Sequence, residues 1–235
     1  SNEELISLKH QKLNSLSEIS FARRHPEYVI LGESDTKLIL NPGEPAVQDF
    51  LVDTITEIVS KYDVDGLHFD DYFYLSGSGA NSQTTNRNFA GGNTVWHNED
   101  TLNDLGTYNR YVNNPSSFQM PAGLSLGDFR RESINNMMRK IRQAIDSHNQ
   151  KTGKFVEFGS KPAAVWRSNS EYCPGNERTS PDGSNTHCYA YSSYYDLFAD
   201  TKKWVAEGLV DYIAPQVYYD FANREVPYAD IVSWW

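Results

Sequence analysis

Apolar side chains recur every three or four residues through Val47, Phe50, Leu51, Ile55, Ile58, Val59 and Tyr62, the clearest amphipathic helix pattern in the chain. Asn41-Pro42-Gly43-Glu44-Pro45 launches that helix, with a proline near its first position. Before it, Tyr28–Leu31 and Lys37–Leu40 are short apolar runs split by Gly32-Glu33-Ser34-Asp35, which predicts a hairpin. Residues 3–20 predict a short helix and a loop. After it, Leu67 and Phe69 alternate with His68 and Asp70, a short strand that ends on two carboxylates, Asp70 and Asp71. A stretch rich in Gly, Asn, Ser and Thr, from about Leu75 to Gly127, predicts a long loop. Asp128 is placed to cap a second helix with Phe129, Ile134, Met137, Met138, Ile141 and Ile145 on its apolar face. Gly153 breaks it, and Lys154–Gly159 predicts a strand. A polar loop from Trp166 to about Ala190 leads to a third helix from Ser192 or Ser193, with Leu197, Phe198, Thr201, Trp204 and Val205 facing inward and Gly208 at its end. Val210–Tyr218 predicts the next strand, and Pro227–Trp235 one more helix.

Helices that alternate with strands imply parallel strands joined by crossovers, hence an α/β fold. The very long loops follow strands and not helices, the asymmetry of a (β/α)8 TIM-barrel-like fold with its site at the strand C-termini. A doubly wound open sheet is the rival, but no glycine-rich phosphate turn is present. A complete eight-unit barrel takes about 250 residues with ordinary loops. The chain has 235, and two loops use much of that length. The expectation is a single domain over residues 1–235 that is an incomplete barrel, truncated at both ends. Open barrel edges expose unpaired strands, and a homodimer would cover them.

Composition narrows the partners. Twenty-one Lys and Arg against 31 Asp and Glu give a net charge of −10, which argues against nucleic acid or an anionic membrane surface as the main partner. No apolar run approaches the roughly 20 residues of a membrane helix, so no membrane insertion of this segment is expected. Aromatic residues make up 13% of the chain. Their rings suit the C–H faces of sugars, and equally suit ordinary cores. Cys173 and Cys188 are too few for a four-ligand zinc site; in an oxidising compartment they could close a loop disulfide. No phosphate loop, Gly-x-Ser-x-Gly elbow or His-Glu-x-x-His motif occurs, so nucleotide, serine-hydrolase and zincin readings fall away and neither a cofactor nor a transition metal is expected.

Three strand ends hold the candidate chemistry. Asp70 shares a strand side with His68, and Asp71 opens the following loop. A carboxylate at a barrel strand end can serve as nucleophile, as stabiliser of an oxocarbenium-like centre or as metal ligand; it can equally cap its own turn. Ala214-Pro215-Gln216-Val217-Tyr218-Tyr219-Asp220 offers hydrogen bonds from Gln216 and Tyr218, stacking from Tyr219 and a carboxyl at Asp220. Ser160-Lys161-Pro162 through Trp166-Arg167 offers a ring beside a guanidinium, which suits stacking on a ligand or a cation–π surface pair. Glu157, inside its strand, either points inward as an acid or faces solvent.

The segment Tyr-Asp-Val-Asp-Gly-Leu-His-Phe-Asp-Asp-Tyr-Phe-Tyr at 62–74 resembles the signature of the glycosyl-hydrolase-like 10 family. Leu40–Gly43, Ala164–Arg167, Asp200–Trp204 with Asp211–Tyr218, and Tyr228–Trp235 agree with it in order, so the resemblance spans about residues 21–235. It implies a bacterial, usually extracytoplasmic TIM-barrel protein that cleaves glycosidic bonds in cell-wall or related polysaccharides, some relatives acting on peptidoglycan strands stripped of peptides. By that resemblance His68, Asp70, Asp71 and Tyr72 form the strand-end motif, and Trp166, Arg167, Gln216 and Tyr218 line the pocket. Asp70 is the first choice of catalytic carboxylate, with Asp71, Glu157 or Asp220 as its partner acid. A non-catalytic carbohydrate-binding module and a metal-dependent polysaccharide deacetylase using His68 and Asp70 are the alternatives.

Overall fold

The computed structural model describes residues 2–31, 37–71, 73–74, 104–171, 174–176 and 178–235. In chain order the elements are α1 (Asn2–Asn14), α2 (Phe21–Arg24), β1 (Val29–Leu31), β2 (Leu38–Leu40), α3 (Pro45–Lys61), β3 (Gly66–Phe69), α4 (Leu105–Asn113), α5 (Leu126–Thr152), β4 (Glu157–Ser160), β5 (Ser168–Asn169), β6 (Thr179–Ser180), α6 (Ser193–Asp196), α7 (Thr201–Ala206), β7 (Tyr212–Ile213) and α8 (Tyr228–Trp234). They form two compact units, Ser1–Leu51 with Tyr74–Ser133, and Val52–Phe73 with Ile134–Trp235.

In the first unit, β1 and β2 form the expected antiparallel hairpin, Val29 opposite Leu40 and Leu31 opposite Leu38. Leu31 is buried against Leu5, Ile6 and Leu8 of α1. The Asn41–Glu44 turn is a hydrogen-bonded knot. Asn41 Oδ1 accepts from the Gly43 N–H at 2.9 Å, and its amide donates to Thr107 Oγ1 at 2.9 Å. Thr107 in turn donates to the buried Glu44 carboxylate at 2.5 Å, which also pairs with Arg110. The loop expected from Leu75 to Gly127 is therefore corrected over its second half: α4 lies there, and Tyr111, Phe118, Met120 and Phe129 form a buried cluster. A polar sequence hid the helix, because its buried face consists of Thr107 and Tyr111 and not of aliphatic residues. Helix α5 begins before Asp128. Ser125 is the cap; its Oγ accepts from the Asp128 N–H at 3.2 Å and donates to the Asp128 carboxylate at 2.6 Å.

In the second unit, β3, β4 and β7 form a parallel sheet in that order, so its strands follow chain order, with α5 before β4 and α6 and α7 before β7. The register pairs His68 with Gly159 and Gly159 with Tyr212. One face of the sheet is apolar. Phe69 meets Phe158 edge-on at 5.2 Å, and Phe73 meets the fully buried Trp204 at 5.1 Å. Trp204 donates its indole N–H to Asn135 at 2.8 Å. Asp211 ties the sheet to α5. One carboxylate oxygen accepts from the Phe158 N–H at 2.7 Å and from Arg142 at 2.6 Å.

Three expectations shift here. The strand predicted over Lys154–Gly159 starts at Glu157, because Asn149 of α5 holds Val156 through both its N–H and its C=O. The third helix is two short ones: Phe198 adopts φ 54°, breaking the run, and Asp200 caps the second piece by accepting from the Lys203 N–H. Val205 consequently faces solvent, 50% exposed, while Leu197, Phe198 and Trp204 are buried. The long strand Val210–Tyr218 is only Tyr212–Ile213, followed by a single parallel bridge from Gln216 to Ala163, since Pro215 lacks the N–H a ladder needs.

Candidate functional site at the ends of the parallel strands

Side chains alternate across a strand, so the register decides which residues share a face. His68 and Asp70 lie opposite the Phe69 side of β3, and Gly159 and Lys161 share their side across β4. Tyr212 joins them from β7 and Gln216 from the bridge beyond it. The Lys161 N–H donates to Phe69 C=O at 2.8 Å, which carries the parallel pairing one step past the strand.

Asp70 is the hub of this polar face. One carboxylate oxygen lies 3.2 Å from Lys161 Nζ. The other accepts from the Asp71 N–H at 2.9 Å and from Gln216 Nε2 at 3.3 Å. The same Gln216 amide donates to Lys161 C=O at 3.0 Å, so it spans β3 and β4. The Asp70 side chain remains 46% exposed, so it is open to a ligand.

The two carboxyls are pushed apart in acidity. Slight burial would raise Asp70, but the Asp71 N–H and the hydrogen bond and charge of Lys161 outweigh it and hold Asp70 below the usual carboxylate range. Asp71 is buried. That burial, then the neighbouring Asp70 charge and the hydrogen bond the two carboxyls share, raise it, against smaller help to its anion from Gln216. The Asp70 hydrogen bond and charge raise Lys161 against its slight burial, so it stays a cation. A carboxyl of raised pKa next to one of lowered pKa, with a lysine cation beside them, is an arrangement suited to acid–base work.

A model of the glycosyl hydrolase-like 10 family matches residues 5–235. The chain belongs to that family. It is 33% identical over its whole length to the glycosyl hydrolase YngK of Bacillus subtilis, of which it covers 38%. It is 36% identical, over 86% of its length, to the glycosyl hydrolase DigH of Escherichia coli, of which it covers 36%. The chain thus spans a little over a third of the length of these curated relatives.

The other expected site residues of this glycosyl hydrolase-like 10 chain make contacts of their own. Trp166 is buried; its indole N–H donates to Asp200 at 2.9 Å, and its ring lies parallel to Trp234 at 5.8 Å with Lys202 Nζ 4.9 Å above it. Arg167 stacks over Tyr194 at 4.8 Å and Tyr195 at 5.1 Å and donates to Thr179 C=O and, at 3.2 Å, to the Tyr195 hydroxyl. The structure joins Gln216 to Asp70, and joins Trp166 and Arg167 to this separate aromatic cluster. Asp220 is exposed and accepts from the Ala222 N–H at 2.9 Å, closing its own turn. Tyr219 packs half-buried against Ala164, Val165 and Ile231 and is not presented for stacking. Burial raises its hydroxyl pKa. Tyr218 is 77% exposed. Glu157 is exposed on the Gly159 side of β4, paired with Gly66. Tyr72 and Cys173 lie outside the described residues, and Cys188 is disulfide-bonded.

Sequence reading missed two members of the site. By pattern alone Lys161 is part of a loop and Tyr212 a strand residue. Strand parity was the available signal. Counting by twos from Gly159 reaches Lys161, and the register then sets Lys161 beside Asp70. Among the described residues no cluster of three or more His, Cys, Asp or Glu could hold a metal. No helix among them is long and apolar enough to cross a membrane.

Proposed function

We propose that this chain carries the catalytic face of a glycoside hydrolase, and that Asp70 and Asp71 act as one acid–base unit. The carrying observation is the split pair itself: an exposed carboxylate whose pKa the Asp71 N–H and Lys161 lower, next to a buried carboxyl whose pKa burial and the neighbouring like charge raise. In this reading the pair passes its proton to the glycosidic oxygen as the bond from that oxygen to the anomeric carbon breaks. The negative charge left at Asp70 faces the oxocarbenium-like carbon, and Lys161 offsets the excess charge on the pair. A water then adds to the anomeric carbon and returns a proton to the carboxyls, so the net reaction is hydrolysis.

The order β3, β4, β7 with helical crossovers supports reading the sheet as an arc of a (β/α)8 barrel whose strand ends carry the site. That YngK and DigH are glycosyl hydrolases supports a glycoside as substrate, and from the resemblance of the 62–74 motif we assign a bacterial cell-wall glycan. The disulfide at Cys188 supports an extracytoplasmic protein. The test is a panel of polysaccharides, peptide-free peptidoglycan included, digested with the full-length protein and with its Asp70→Asn variant, the products read by mass spectrometry. Cleavage by the wild type that falls roughly 10²–10⁴-fold in the variant, with unfolding unchanged, is the expected result. Wild-type turnover by the variant would remove Asp70 from the reaction.

A further inference from the structure

One member of the polar face has no part in the acid–base pair. A Cβ built on Gly159 would stand 2.2 Å from Tyr212 Cζ and 2.4 Å from both Cε1 and Cε2. Near-equal distances to three adjacent ring carbons are met only above the ring face, so the phenol lies flat across the backbone of β4. Only glycine leaves room for it. The ring is fixed at its far end as well: the Tyr212 hydroxyl and His68 Nδ1 are 2.8 Å apart, a hydrogen bond whose donor depends on the histidine tautomer. The imidazole and the phenol are almost parallel, 14° apart, with centroids separated by 5.6 Å. The two rings are therefore parallel and laterally offset. Tyr212 is 38% exposed and His68 is exposed too. The next residue up this face of β3 is Asp70.

We propose that the Tyr212 and His68 rings, laid over Gly159, form the floor of a saccharide subsite that takes the C–H face of a pyranose ring and sets its anomeric carbon toward Asp70. An exposed tyrosine ring with a parallel imidazole beside it and an acid group at one rim matches the chemistry of a sugar, whose axial C–H bonds make an apolar face and whose equatorial hydroxyls point sideways to polar groups such as Gln216 and Lys161. Tyr212 lays one ring face against Gly159 and anchors its hydroxyl on His68, which leaves its orientation fixed before any ligand arrives. The inference deepens the proposed hydrolysis by naming a subsite of the same face, and it stands or falls on binding alone.

The experiment uses the full-length protein in an Asp70→Asn background, so that no bond is broken during measurement. Tetramers of β-1,4-linked N-acetylglucosamine, β-1,4-linked glucose and α-1,4-linked glucose serve as probes. Calorimetry gives affinity, and saturation-transfer NMR shows which sugar protons approach aromatic side chains. The expected result is binding of at least one tetramer, with saturation strongest on ring C–H protons. Tyr212→Phe keeps the ring and should hold affinity within about threefold. Tyr212→Leu should weaken binding roughly three- to tenfold, and Gly159→Ala, which tilts the ring away, should do the same. No tetramer bound, or Tyr212→Leu binding like its parent, overturns the subsite. If either substituted chain fails to fold, the saturation pattern on the parent decides, because transfer only to exocyclic protons also overturns it. Glycan cleavage is absent from every readout, so a failure of the hydrolase reading would register separately.

Discussion

Two ion pairs in this chain use the same charges for opposite ends. In the first unit Arg130 and Asp104 are both wholly buried and meet through two parallel hydrogen bonds of 2.8 and 2.7 Å. In the second unit Lys161 touches Asp70 through one contact of 3.2 Å, with 35% and 46% of the side chains exposed. The buried fork is committed. Each charge needs the other because no water can replace it, and the planar guanidinium matches both carboxylate oxygens. The open pair is uncommitted. Water screens it, so it adds little to folding, yet it biases the protonation of Asp70 and leaves a lone-pair face free for a ligand. Solvent access, more than the identity of the charges, separates scaffold from chemistry here.

The contrast can be broken most sharply at Asp104. Asp104→Asn strands the Arg130 charge in the interior and should cost about 3–5 kcal/mol in urea unfolding. A loss below about 1 kcal/mol would show that this pair, too, is dispensable. Next in size is the effect of pH on cleavage. The proposed reaction needs Asp70 ionised and Asp71 protonated. Activity should therefore fall as pH drops through the lowered Asp70 value, and fall again as pH rises through the raised Asp71 value. Asp71→Asn cannot supply the proton and should abolish the alkaline limb along with most turnover; an unchanged profile would exclude Asp71. Lys161→Met removes the cation that favours the Asp70 anion, so the acidic limb of kcat/KM should move to higher pH while the unfolding midpoint stays close to that of the wild type. An unmoved limb would assign Lys161 to structure alone. The smallest effect is expected at Lys202, whose ammonium lies over Trp166 at 4.9 Å. Lys202→Met should cost about 0.5–1 kcal/mol by thermal unfolding without altering cleavage.

How much of this was readable beforehand follows from the range of each interaction. Helix α3 announced itself because Val47, Ile55 and Val59 repeat with the helical period and are buried. The hairpin did the same through two apolar runs. Helix α4 stayed hidden because its buried face is Thr107 and Tyr111, and its partners Asn41 and Glu44 are more than sixty positions away in sequence. The site divides the same way. Asp70 and Asp71 were visible as a pair, since they are adjacent. Their difference in acidity was not, because it comes from the burial of Asp71 and from Lys161, which the sheet register brings beside Asp70. Trp166 and Arg167 looked like ligand contacts by residue type, but side-chain type says nothing about whether Tyr194, Tyr195 and Trp234 will occupy them.

Gln216 reaches Asp70 across 146 positions of sequence, and Lys161 comes from the strand between. A growing chain therefore displays the two adjacent carboxyls long before the groups that tune them have been synthesised. Until β7 docks, the Gln216 bridge from Asp70 to Lys161 C=O is absent. Long-range strand pairing of this kind forms late and slowly, so the completed polar face should be among the last parts of this sheet to assemble.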